Sequence, residues 1–207
     1  MTTAENVHEF IEQQRRAIAQ NPECGNSHYN LAIGLLGLQQ YEEAEKELLA
    51  AIENSPTLAE AYVQLGGICL QRGDLDGCLS WNKKAVQVRA GFSEGWGNIG
   101  FVHMQQGNLE EAIYALEKAT RWNPKFVQAL TTLANAYLAN GEVEASINTN
   151  LKVLDLEPEF AVAHNNLAVA YLENGQHTEA DRHCKKALEL GYDVPVELQD
   201  EIRKHFD

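Results

Sequence analysis

Five polar side chains stand 34 positions apart along this chain: Asn30, Gln64, Asn98, Thr132 and Asn166. Asn135 lies close to the fourth and Asn165 beside the fifth. An amide offers a donor and an acceptor together. A column of amides can therefore pair with successive peptide units of an extended chain and ask little of that chain's side chains. Amides at such positions can equally satisfy backbone of their own surroundings, and the sequence leaves both uses open. Thr132 interrupts the column.

The other chemistry-bearing residues form no site. His177, His183 and Cys184 fall close together in one helical stretch, but neighbours at i, i+1 on a helix point apart. His28, His103 and His164 take positions where the repeat described below carries bulky rings, and are expected to be core or half-buried rather than ligands. The 4 cysteines show no C-x-x-C pair and no regular spacing, so neither a zinc site nor a disulfide framework follows. Cys69 and Cys78 are close enough for a disulfide to be conceivable, and two buried thiols are the expectation. No nucleophile–base pair, phosphate-cradling glycine loop or paired-carboxylate motif occurs. The chain is expected not to be an enzyme and to need no cofactor or metal.

The spacing of the polar column belongs to the whole chain. NLAIGLL at 30–36, QLGGICL at 64–70, NIGFVHM at 98–104, TLANAYL at 132–138 and NLAVAYL at 166–172 are near-copies in one register. A period of this size marks a solenoid of stacked supersecondary units. Each copy divides into two helical stretches. Apolar residues at helical spacing, as in Leu31, Ile33, Leu35 and Leu48, Leu49, Ile52, predict helices that bury one face. Gly73, Gly107, Gly141 and Gly175 mark the turn between the two, where a left-handed residue can close a helix. The first copy has Gln39-Gln40 there, so its turn carries no such signal. Pro56, Pro124 and Pro158 end second helices. Val7, Phe10, Ile11, Ala17 and Ile18 predict a leading helix over 3–20, with Thr2 and Glu5 as a capping box. Leu198, Ile202 and Phe206 form one apolar stripe after Pro195, as expected of a helix closing the end of a stack. Twelve helices follow: one leading, ten in five repeats, one capping.

Within the period, residue types recur at fixed phases. The third copy reads Trp96, Ile99, Gly100, His103, Ala112, Leu116, Ala119, Pro124; the first reads His28, Leu31, Ala32, Leu35, Ala44, Leu48, Ala51, Pro56. The fifth reads His164, Leu167, Ala168, Tyr171, Ala180, Cys184, Ala187. This pattern resembles the tetratricopeptide repeat (TPR) family. The resemblance implies an all-α fold, a right-handed TPR superhelix of five 34-residue helix-turn-helix repeats. As a single solenoid domain over 1–207, it would comprise a leading half-repeat at 1–24, repeats at 25–58, 59–92, 93–126, 127–160 and 161–194, and a capping helix at 195–207. It also implies that the first helix of each repeat lines a concave groove. Carried onto this chain, the groove positions include Tyr29, Asn30, Gln64, Asn98, Phe101, Met104, Asn135, Leu138, Asn165 and Asn166. Ile33, Leu36, Leu70, Val169 and Leu172 extend an apolar strip beside the amides.

The charged residues at these positions are Glu60, Glu94 and Glu173, and none is Lys or Arg. TPR co-chaperones grip the acidic tails of heat-shock chaperones with groove Lys, Arg and Asn, because a carboxylate needs cationic donors. That clamp is not expected here. The amide column is instead similar to the asparagine ladder in the TPR region of O-GlcNAc transferase, whose repeats HNNLAVAYLENG at 164–175 resembles; the catalytic domain of that enzyme is absent. The resemblance implies a protein-interaction adaptor or assembly scaffold that takes an extended or helical peptide segment in its groove. Self-assembly, with a terminal helix of one copy in the groove of another, is the alternative.

The formal net charge is −14. Phosphate binding needs clustered Lys and Arg, so nucleic acid is not an expected partner. An apolar or basic protein segment is, and so is a second copy in a homo-oligomer. Part of the acidity has a local reason: Glu42, Glu43, Asp76, Glu110, Glu111, Glu144 and Glu179 fall in the first turns of second helices, where carboxylates complement the helix dipole. No apolar run reaches the length of a membrane span, and MTTAENVHEFIEQQ lacks the basic start and apolar core of a secretory signal. A reduced, cytoplasmic protein is expected.

Overall fold

The computed structural model describes residues 3–206. The capping box expected of Thr2 and Glu5 lies outside what it describes. Twelve α-helices and no strands occur among the described residues. They are α1 (Thr3–Gln20), α2 (Gly25–Gly37), α3 (Tyr41–Asn54), α4 (Ala59–Gln71), α5 (Leu75–Val88), α6 (Ser93–Gln105), α7 (Leu109–Trp122), α8 (Val127–Ala139), α9 (Val143–Leu156), α10 (Ala161–Glu173), α11 (His177–Glu189) and α12 (Val196–Arg203). The chain forms two compact units, one running to Ile99 and the other starting at Gly100.

In the first unit, neighbouring helices pack pairwise in chain order from α1 to α5. Its core is built from Ile11, Leu31, Leu35, Leu48, Leu65 and Ile68, with Ala32, Ala44, Ala51 and Ala61 between them. The alanines let helix axes approach, and the large residues fill the space beside them. Close approach between helices is stringent at Gly66, where a Cβ would collide with the buried Asn82 amide. The leading helix α1 covers the open side of α2: a Cβ at Gly34 would sit 2.7 Å from Ile11.

The second unit repeats the plan through α7–α8, α8–α9, α9–α10 and α10–α11, and ends with α11–α12. Val194 and Ile202 are each 1% exposed and join Ala168, Ala180, Cys184 and Ala187 in the last core cluster, with Leu198 packed against it. The expected apolar stripe of α12 is only partly realised. The helix ends at Arg203, and Phe206 lies beyond it, 55% exposed. His205 instead stacks on His177, ring centroids 3.5 Å apart.

The turns show why the first repeat needs no glycine. Gly73, Gly107, Gly141 and Gly175 all adopt positive φ, between 72° and 81°, and Gln39 adopts φ 59° at the same register. The turn geometry belongs to the repeat, and glutamine accepts the left-handed conformation at a cost.

Candidate functional site

The first helices of the first unit carry Tyr29, Asn30, Gln64 and Asn98. Asn30 and Gln64 are half-buried and make no side-chain hydrogen bond among the described residues. Asn98 is different. Its amide donates to Asn82 Oδ1 at 3.0 Å, and Asn82 is fully buried and donates to Cys78 O at 2.8 Å. One hydrogen of Asn98 thus satisfies a core acceptor, which leaves the rest of its amide for the surface. Tyr29 packs against the core, and burial followed by the Glu60 charge pushes its pKa up.

Glu60 brings in a residue that the repeat phases did not select. Arg89, just past the end of α5, donates to both Glu60 oxygens, at 2.6 and 3.1 Å. Burial works to raise the Glu60 pKa, the Arg89 hydrogen bond and charge outweigh it, and the net shift is downward. Arg89 also lies over the Phe92 ring, 4.9 Å from its centroid. The first-helix face of this unit is therefore less acidic than its own phases suggest. The only signal for Arg89 was its place in the loop before α6, 29 residues from its partner.

In the second unit, Asn166 donates to Asn135 Oδ1 at 2.8 Å, which ties α10 to α8. Asn165 is half-buried, and its Oδ1 is buried without a partner. Thr132, the break in the column, turns its hydroxyl into its own helix and donates to Gln128 O at 2.8 Å. Phe101 is 37% exposed, Met104 is half-buried, and Leu138 packs against the cluster of Ile147, Leu167 and Ala170. Of the apolar strip, Ile33 and Phe101 are exposed, while Leu36, Leu138 and Leu172 pack against cores.

His164 and His183 are tied into one chain of hydrogen bonds. His164 is buried with Nε2 3.1 Å from Pro158 O and Nδ1 2.9 Å from His183 Nδ1. Arg182 approaches His183 Nε2 at 3.0 Å. Arginine can only donate and a carbonyl can only accept, so the proton positions follow. Arg182 donates to His183 Nε2, His183 Nδ1–H to His164 Nδ1, and His164 Nε2–H to Pro158 O. Both rings are neutral in this chain of bonds. Burial, then Arg182 and His164, hold the His183 pKa down at about 4. Cys69, Cys78 and Cys184 are buried free thiols, and burial pushes the Cys78 pKa up to about 11. No group of three or more His, Cys, Asp or Glu able to hold a metal occurs among the described residues. No described helix is long and apolar enough to cross a membrane.

Family models described as tetratricopeptide repeat match residues 11–59, 29–99, 103–150 and 161–190, and one described as TPR repeat matches 134–175. The chain is a tetratricopeptide-repeat protein. No curated protein sequence matches this TPR protein. Solved structures with the same fold include YrrB, described as a TPR protein with an unusual peptide-binding site, at 20% identity and TM-score 0.77, covering 94% of this chain and 99% of that one. PilF of Pseudomonas aeruginosa matches at 17% identity and TM-score 0.81, over 95% of this chain and 89% of that one. MamA of Desulfovibrio magneticus RS-1 matches at 23% identity and TM-score 0.71, over 81% of this chain and 94% of that one.

Proposed function

We propose that this TPR protein is an interaction scaffold whose first-helix faces bind extended segments of a partner protein, through the amides Asn30, Gln64 and Asn98 in the first unit and Asn135, Asn165 and Asn166 in the second. Tyr29, Phe101, Met104 and Leu138 supply the apolar part of that surface. The observation that carries this reading is unused hydrogen-bonding capacity in one register. Asn30 and Gln64, which share that register, make no side-chain hydrogen bond among the described residues, and Asn165, one position off it, has an Oδ1 without a partner. A half-buried amide without a partner keeps both a donor and an acceptor to offer a peptide unit. The asparagine ladder of the O-GlcNAc transferase TPR region is the analogy for this mode, and YrrB is a structural neighbour described as having a peptide-binding site. The partner segment is apolar or basic rather than acidic: the charged groups that the first helices themselves place on these faces are Glu60, Glu94 and Glu173, and Arg89, folded onto them, is paired with Glu60. Self-assembly through the leading helix is less favoured, because α1 is already seated on α2 of its own chain.

The test is a selection of peptides from a random library on the wild-type protein, repeated by calorimetry on a variant carrying Asn135→Ala and Asn166→Ala. Two lost hydrogen bonds at about 0.5–1.5 kcal/mol each predict roughly 5- to 160-fold weaker binding. A folded variant that binds the selected peptides with unchanged affinity refutes the role given to the amides.

A further inference from the structure

Four of the five repeats carry a ring with a polar hydrogen at their fourth position, and each ring faces the same kind of acceptor. His28 Nε2 lies 2.9 Å from Pro22 O, and Tyr62 Oη donates to Pro56 O at 3.0 Å. Trp96 Nε1 donates to Ala90 O at 2.8 Å, and His164 Nε2 lies 3.1 Å from Pro158 O. The acceptor is always the carbonyl six residues earlier, in the loop that precedes the helix.

The fourth repeat departs from this rule. Its ring position is Leu130, which has no hydrogen to donate, and the corresponding carbonyl belongs to Pro124. The residue that faces the ring across the helix pair, Trp81 for Tyr62 and His183 for His164, is here Thr149. A cavity of about 320 Å³ occupies the place, lined by Pro124, Leu130 and Thr149 and bordered by Thr120, Arg121 and Lys152. Neither threonine hydroxyl supplies the missing donor: Thr149 donates to Ala145 O at 2.8 Å and Thr120 to Leu116 O at 3.0 Å.

We propose that this cavity receives a tryptophan side chain of a partner polypeptide, flanked in that partner by acidic residues. The occupied copies define the ligand: a flat ring with an N–H or O–H aimed at the carbonyl. Trp96 shows that the register accepts an indole. The acidic flank follows from the rim. Arg121 and Lys152 border the cavity, and neither takes part in an ion pair among the described residues. The carboxylate that also lines it, Glu117, is held by the Tyr137 hydroxyl at 2.7 Å. A carboxylate next to the bound ring would meet two cationic donors. Leu130 and Tyr137 lie on the face of α8 away from Thr132 and Asn135, so this site stands apart from the amide column and does not depend on it.

The probes are the peptides acetyl-Glu-Trp-Glu-amide and acetyl-Glu-Leu-Glu-amide, titrated into the protein and followed by two-dimensional ¹H–¹⁵N NMR. The tryptophan peptide should shift amides around Arg121, Leu130 and Thr149, and the leucine peptide should bind about tenfold more weakly or worse, lacking the ring hydrogen bond and area. Leu130→Trp fills the cavity from within; it should abolish peptide binding and raise the melting temperature. Arg121→Glu with Lys152→Glu, both on the rim, should weaken binding about fivefold or more. Asn135→Ala with Asn166→Ala should leave it unchanged. Absence of localised shifts at millimolar peptide, equal binding of the two peptides, or undiminished binding to folded Leu130→Trp overturns the proposal. Should Leu130→Trp not fold, undiminished binding to the charge-reversed variant overturns it instead.

Discussion

Acid should weaken the second unit through His183, and the size of the effect follows from its surroundings. The ring is 4% exposed and neutral, fixed between Arg182 and His164. Its pKa in the folded protein is about 4 against an ordinary 6.5. Between those values the unfolded chain takes up a proton that the folded chain refuses. Stability is then present in full above the unfolded value and is lost as pH falls toward the folded one. At 1.36 kcal/mol per pKa unit, the loss between pH 7 and pH 4.5 is about 2 kcal/mol. Carboxylates also titrate in this range, so the wild type must be compared with His183→Phe, which cannot titrate and keeps the ring beside Tyr171. At neutral pH the variant should be less stable by roughly 1 kcal/mol, for the lost bond to His164. As pH falls, the wild type should lose ground to the variant, and below about pH 5.7 the order should reverse. Urea melts by circular dichroism at several pH values report this directly. Denaturation midpoints that keep a constant separation from pH 7 to 4.5 would show that His183 does not titrate between the two states as the buried chain of bonds requires.

Two further outcomes concern the turns and the end of the stack. Gln39→Gly should raise stability by about 0.5–1 kcal/mol, because glycine relieves the left-handed strain at φ 59° while adding some freedom to the unfolded chain. A lower urea midpoint would mean that the glutamine side chain is needed there. Ile202→Ala should cost about 2–4 kcal/mol, as for other large-to-small changes at fully buried sites, whereas Phe206→Ala should change the midpoint little because that ring is 55% exposed. Equal effects of the two substitutions would contradict the assignment of Ile202, and not Phe206, as the closing contact.

The legibility of the fold came from its period. A repeat that recurs without insertion reports the same helix pair five times, so noise at one position is corrected by the others. Leu31, Leu65, Leu133 and Leu167 are buried because their register makes them so. Helix type, helix order and the sites of the turns are local properties, set by spacing within a few residues, and could be read directly. Gln39 shows that the turn follows the register even where the residue type carries no signal for it: it takes the left-handed conformation of the glycines at the same phase. Phe206 shows the limit, since the stripe continued in sequence past the point where the helix stopped.

The candidate site was legible only as a set of positions. The period by itself determined that Asn30, Gln64, Asn98 and Asn166 share a phase, and that groups able to form peptide-like hydrogen bonds recur along the first helices. Tertiary structure decided what each of them does. Asn98 reaches Asn82 across 16 residues, Asn166 reaches Asn135 across 31, and Arg89 folds back onto Glu60 across 29. The same holds for the neutral His164–His183 pair, 19 residues apart, and for the cavity at Leu130. Periodicity fixes the direction in which a side chain leaves its helix. The partner it meets depends on the length and shape of that side chain and on what the facing helix offers. Those are facts of packing between segments, and a one-dimensional register does not contain them.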